Sequence, residues 1–318
     1  FAGETGQIAM RSLVQFLAGC AAVPVMNTTL PKQEGFEIQV FAPAQSAQFP
    51  VVFFVGGLSA DVPVKFYSDL LNGIASSGYV IVGLGHLAIP NYPKQGRSFH
   101  QVMQWAEGGG LTAALAQAGV AATVDLTKAA VMAQSAGNHV AGQGLADGCS
   151  LAKGFIMIDP VDGVDPFGII HTEDLITPGR KLNFTIPALQ LDNALDPVKA
   201  KPLFPACAPA KLSGDRWYNA MAGPVWNVHA ANYGHVDCLD DGAAAAAGLV
   251  CKSDPTYPNA PYKAALADAA TLFLRALFNG ETANFAALED AAHFGVNVTT
   301  KADLKGQTHA EIRPGCVN

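Results

Sequence analysis

Lys128-Ala-Ala-Val-Met-Ala133-Gln-Ser135-Ala-Gly137-Asn-His139-Val-Ala-Gly-Gln143 holds the information from which the architecture follows. Lys128 to Gln134 reads as a short buried strand, and the residues from His139 as the start of a helix. Between them, Ser135 stands in a turn of small residues. A strand, a sharp turn carrying a serine and a helix make the layout of a nucleophile elbow. Its neighbours have to be small because the serine backbone is strained there and Oγ must stand clear of the sheet. The usual pattern is Gly-Xaa-Ser-Xaa-Gly, and Ala133 takes the place of its first glycine. Such a match means little in isolation; the strand–turn–helix context is what gives it weight.

The rest of the chain fits that elbow into a sheet. Phe36 to Phe41 reads as an early strand, and Pro50-Val-Val-Phe-Phe-Val55 as a buried one opening into Gly56-Gly57. Gly78 to Gly83, Gly154 to Ile158, Pro187 to Leu191 and Trp226 to Ala230 continue the series. Val64 to Ser76 and Tyr262 to Phe278 carry apolar residues at helical spacing. Strands alternating with helices predict an α/β protein, a mostly parallel central sheet flanked by helices. Together with the elbow this is the α/β-hydrolase fold. We expect one domain over residues 1–318, with an irregular N-terminal extension (about 1–35) and a polar C-terminal tail (about 299–318). Residues 86–108, rich in Pro, Gly and aromatics, are expected to form an irregular loop near the pocket mouth.

A serine nucleophile in this topology takes its acid and then its histidine from the ends of later strands. Among the 8 histidines, His235 directly follows the last predicted strand and a glycine turn. His86 and His139 come before, or too soon after, the serine to serve as its base. Asp159, Asp162, Asp192 and Asp196 all follow late strands, and spacing does not choose among them. The oxyanion hole is expected from backbone N–H groups of Ala136 and Leu58.

Composition narrows the function classes. Hydrophobic residues make up 50% of the 318 and charged ones 14%, with a formal net charge of −7. That gives no electrostatic reason to bind nucleic acid or an anionic membrane, and no apolar run is long enough to span a bilayer. The 6 cysteines include no CxxC pair, which argues against a zinc site. No metal or organic cofactor is expected. A disulfide beside the His235 loop is expected, as Cys238–Cys251 or Cys238–Cys207. The chain starts at Phe1 with no signal-peptide pattern, so any targeting segment is expected to have been removed. Asn27, Asn183 and Asn297 head glycosylation sequons, which with an even cysteine count keep a secretory route open.

Several segments together resemble the chlorophyllase family. Ile158-Asp-Pro-Val-Asp-Gly163 is very similar to that family's stretch. Cys207-Ala-Pro209, Trp217-Tyr218, Pro224-Val-Trp226 and Tyr233-Gly-His-Val-Asp-Cys-Leu-Asp-Asp241 resemble its C-terminal signature in order and spacing. The likeness spans roughly residues 36 to 241. It departs at the elbow, where the family's Gly-His-Ser-Arg-Gly reads Ala133-Gln134-Ser135-Ala136-Gly137. It departs again at Gly56-Gly57-Leu58, where the family has His-Gly-aromatic. Such departures fit a diverged, algal relative better than a land-plant enzyme.

The resemblance implies the α/β-hydrolase fold and cleavage of the phytyl ester of chlorophyll or a related pigment. It implies a chloroplast location and peripheral contact with a membrane. It places the acid at the end of the strand after the nucleophile helix, which is Asp159, with Asp162 as second choice. The aromatic material around 86–107 and 217–226 would suit a macrocycle and a C20 tail, and equally any lipid ester. A general lipid esterase, and a hydrolase-fold pigment or lipid carrier without turnover, are the competing readings.

Overall fold

The computed structural model describes residues 23–86, 92–163 and 174–318. Among the described residues, nine strands form one sheet in the order β1-β2-β4-β3-β5-β6-β7-β8-β9. They are β1 Val25–Gln33, β2 Phe36–Pro43, β3 Gln48–Val55, β4 Val80–Gly85, β5 Thr123–Gln134, β6 Ala152–Ile158, β7 Ala188–Asn193, β8 Val225–Ala230 and β9 Val298–Asp303. Strands β4, β3, β5, β6, β7 and β8 run parallel, and antiparallel β1, β2 and β9 close the two edges. This is an α/β-hydrolase fold.

Both faces of the sheet are covered, and the side-chain period of two sorts each strand between them. On β5, Ala129, Val131 and Ala133 join one core cluster while Ala130 and Met132 join the other. Helices Tyr92–Glu107, Gly110–Gln117 and Gly137–Asp147 cover the first face; Ser68–Ser76 and Asn259–Asn279 cover the second. Strand β5 therefore lies mid-sheet, and its C-terminal end opens between neighbouring parallel strands, where such sheets bind ligands.

Several expectations change. Residues 92–107 are a helix, not an irregular loop. Phe99, Val102, Met103 and Ala106 are buried at helical spacing. The glycine that made the segment look irregular is a packing device. A Cβ on Gly96 would meet Gln143 Cγ at 2.4 Å, and one on Gly144 would meet Phe99 Cδ1 at 2.6 Å. Two helices cross there at close range. Residues 87–91 of that expected loop lie outside the described residues, as do residues 1–22 of the expected extension. Residues 25–33, also expected to be irregular, form β1 in a hairpin with β2. The polar tail is ordered too: β9 pairs with β8, and Val317 bridges Thr185.

Two disulfides staple the fold, Cys149–Cys316 and Cys207–Cys251. The expected partner role of Cys238 is therefore wrong. Its thiol is free and buried in the core beneath the His235 loop. Cys207 and Cys251 sit instead on two surface straps that meet where Lys199 bridges Cys251. Cys20 lies outside the described residues.

Candidate active site

Strand β5 ends at Gln134, and the chain reverses at Ser135 with φ +54° before entering the helix Gly137–Asp147. The turn is tied by Ser135 N–H donating to Ile158 O at 2.9 Å and by Asn138. The Asn138 side chain donates to the carbonyls of Ala133, Ser135 and Ile158. Only glycine fits at 137, because a Cβ there would lie 2.4 Å from Gly56 O. This close approach sets the β3 loop directly against the elbow.

Ser135 and His235, 100 residues apart in sequence, meet: the Ser135 hydroxyl donates to His235 Nε2 at 2.7 Å. The His235 loop follows β8 and is closed by Asp237, which accepts from Gly234 N–H at 2.8 Å and from the Ser253 hydroxyl. Gly234 has no room for a side chain, since a Cβ would fall 2.0 Å from Lys252 O. Burial lowers the imidazole's pKa to about 4, so the ring is a neutral acceptor for the serine proton.

The four candidate acids separate clearly. Asp159 ends β6 at φ +43° and Asp196 follows β7; both are buried. One oxygen from each carboxyl and a ring nitrogen of His235 lie within 4.8 Å of one another, and Asp196 Oδ1 is 3.9 Å from His235 Nδ1. Asp159 Oδ1 accepts from the Asn193 side chain at 2.9 Å. Burial, then the neighbouring Asp196, raises the Asp159 pKa well above normal, and burial likewise raises Asp196. Asp162 points elsewhere, to His139 Nδ1 at 2.9 Å, the Arg216 guanidinium, and the N–H groups of Leu175 and Ile176. Burial pushes Asp162 up, but the bonds from His139 and Arg216 outweigh it and hold the carboxyl below its usual range. Asp192 is engaged by His229, Asn227 and Gln190.

The loop after β3 is strained. Leu58, Ser59 and Ala60 all have positive φ (49°, 61° and 75°), a conformation costing about 1–3 kcal/mol per non-glycine residue. Bonds from Ala60 N–H to Gly56 O and Val62 N–H to Gly57 O hold it in shape. Tyr67 Oη accepts from Gly57 N–H at 2.9 Å, which removes that donor from the pocket. Leu58 lines the same cavity as Ser135 and Ala136.

Sequence reading missed the role of Gln134. Its Oε1 accepts from the Tyr67 hydroxyl at 2.9 Å and its Nε2 donates to His235 O at 3.0 Å. One side chain thus joins the elbow, the β3 loop and the histidine loop. The only signal was its departure from the family's elbow pattern.

The serine opens into a cavity of about 320 Å³ whose walls are mainly apolar, including Val62, Val161, Leu212, Val236 and Leu239. The Cys207–Cys251 pair also lines it.

Comparison with known proteins agrees with this architecture. Arabidopsis thaliana Chlorophyllase-2 is 26% identical over 283 residues, 84% of each chain. Arabidopsis thaliana Chlorophyllase-1 is 30% identical over 245 residues, 72% of each. The family profile described as Chlorophyllase matches residues 16–303, so the chain belongs to the chlorophyllase family.

Proposed function

We propose that the chain is a carboxylic ester hydrolase that cleaves the phytyl ester of chlorophyll or a closely related pigment, using Ser135, His235 and Asp159. The observation that carries this is the 2.7 Å hydrogen bond from Ser135 to His235 at the floor of an apolar cavity. Ser135 Oγ attacks the carbonyl of the propionate ester while His235 Nε2 takes its proton. The N–H groups of Ala136 and Leu58 face the developing oxyanion. His235 then gives the proton to the departing phytol, and water hydrolyses the acyl-enzyme by the same route reversed. Family membership supports the pigment over other esters, because both named relatives are chlorophyllases.

At about 320 Å³ the cavity takes a tail or the ester edge but not a whole pigment, so the macrocycle stays at the mouth. Leu58, on the β3 loop, and Val250 line the cavity and are exposed, and Leu203 and Leu249, the exposed sequence neighbours of lining residues Phe204 and Val250, lie on the segments that carry Lys199, Lys201 and Lys252. This supports peripheral contact with a membrane. The family reading favours the chloroplast. The two disulfides and the exposed sequon residues Asn27, Asn183 and Asn297 favour an oxidising, secretory compartment as a second reading.

Assaying chlorophyll beside a short-chain nitrophenyl ester tests the substrate. Hydrolysis of chlorophyll to chlorophyllide is expected. Turnover of the nitrophenyl ester with none of chlorophyll would make the protein a general lipid esterase.

A further inference from the structure

We propose that Asp159 and Asp196 hold one proton between them and present a single negative charge to His235, which makes Asp196 a second positioning residue for the base. The proposal deepens, and rests on, the reading of Ser135 and His235 given above.

The argument starts from three unpaired atoms. Buried polar groups are almost always hydrogen-bonded, yet Asp159 Oδ2, Asp196 Oδ1 and His235 Nδ1 have no partner among the described groups. These belong to the same three residues that converge within 4.8 Å. Three orphans in one sealed cluster are one another's partners.

Charge then fixes the number of protons. Two bare carboxylates this close and shut off from water would repel strongly. Two neutral acids would leave the imidazolium formed during attack without a counter-charge. One proton shared by the pair avoids both. Asn193 touches both members, its side chain donating to Asp159 Oδ1 at 2.9 Å and its backbone carbonyl accepting from Asp196 N–H at 3.2 Å. The groups facing the pair are Asp192 at the end of β7, Asp237 in the histidine loop, the Cys238 thiol and the Tyr262 phenol. The two neighbouring carboxyls both favour keeping the proton. This arrangement has no counterpart in the Asp162 site, where an arginine and a histidine compensate a single carboxylate.

Asparagine is the test substitution because its amide is shaped like a protonated carboxyl. The experiment compares Asp159→Asn, Asp196→Asn and the double variant, following kcat/KM for a soluble short-chain nitrophenyl ester across pH. Each single variant keeps one carboxylate beside the imidazole. Each is expected to lose about 10-fold or less and to keep the acid limb where the wild type has it. The double variant should lose at least about 100-fold more, with its acid limb displaced below that of the wild type, because a buried imidazole without a neighbouring carboxylate is harder to protonate. If either single variant matches the double in both rate and limb, that residue is the sole charged acid and the sharing is overturned.

Infrared spectra of the protein labelled with ¹³C-aspartate supply a second arm. At pH 7 the folded wild type should show a protonated-carboxyl band that each single variant lacks. No such band in the wild type overturns the proposal whether or not the variants fold. This arm needs no turnover, so its failure is distinct from failure of the hydrolase reading.

Discussion

In the proposed reaction Ser135, at φ +54°, is the attacking residue, and its strained turn is held by backbone hydrogen bonds and the Asn138 side chain rather than by the serine hydroxyl. Ser135→Ala should therefore fold normally and lose at least about 10³-fold in ester hydrolysis. Residual turnover above about 1% of wild type would mean that another residue attacks. Tyr67→Phe tests the bridge through Gln134. It strips Gly57 N–H of its buried acceptor, costing about 1–3 kcal/mol of stability, and frees the β3 loop to shift. A fall in both Tm and kcat is expected; unchanged kcat would detach the bridge from catalysis. The meeting of Ser135 and His235 was legible in sequence because chain order and strand ends restrict where they fall. Asp196 was only one of four equal candidates. Its contact with Asp159 depends on how two loops from adjacent strands converge, which spacing does not encode.

Among the elements, the central strands were the most legible, since continuous apolar runs such as Val51–Val55 belong to strands covered on both faces. Edge elements were not: β1 and β9 are largely polar and owe their pairing to neighbours. Helix Tyr92–Glu107 was hidden by its glycine, whose purpose is visible only once helix Gly137–Asp147 lies across it. The cysteines follow the same rule, because proximity in sequence pointed to Cys238 while strap geometry pairs Cys207 with Cys251. Non-reducing peptide mapping should find Cys207 linked to Cys251 and Cys149 linked to Cys316, with Cys238 freely alkylated once denatured. Replacing both Cys207 and Cys251 by Ser should lower stability by about 2–4 kcal/mol in the loop-entropy account. It should also loosen the wall of the cavity that Ser135 lines, seen as a raised KM. A KM that does not change would leave the disulfide a staple only.

At the scale of the whole molecule, an acidic protein exposes Leu58 and Val250 at its cavity and Leu203 and Leu249 on the chain segments next to it. Leu203 is 94% exposed. Changing Leu203 and Leu249 together to Asp should weaken sedimentation with anionic lipid vesicles and slow hydrolysis of vesicle-borne pigment. Turnover of a soluble short-chain ester should hold within about 2-fold, as neither residue reaches Ser135. Equal losses on both substrates would show damage to the site instead. The most direct test of the central claim is intact-protein mass spectrometry of wild type and Ser135→Ala after rapid mixing with chlorophyll. The account predicts a transient chlorophyllide adduct on wild-type Ser135, released as free chlorophyllide, with neither adduct nor product from the variant. Chlorophyllide formed at an undiminished rate by Ser135→Ala would contradict it.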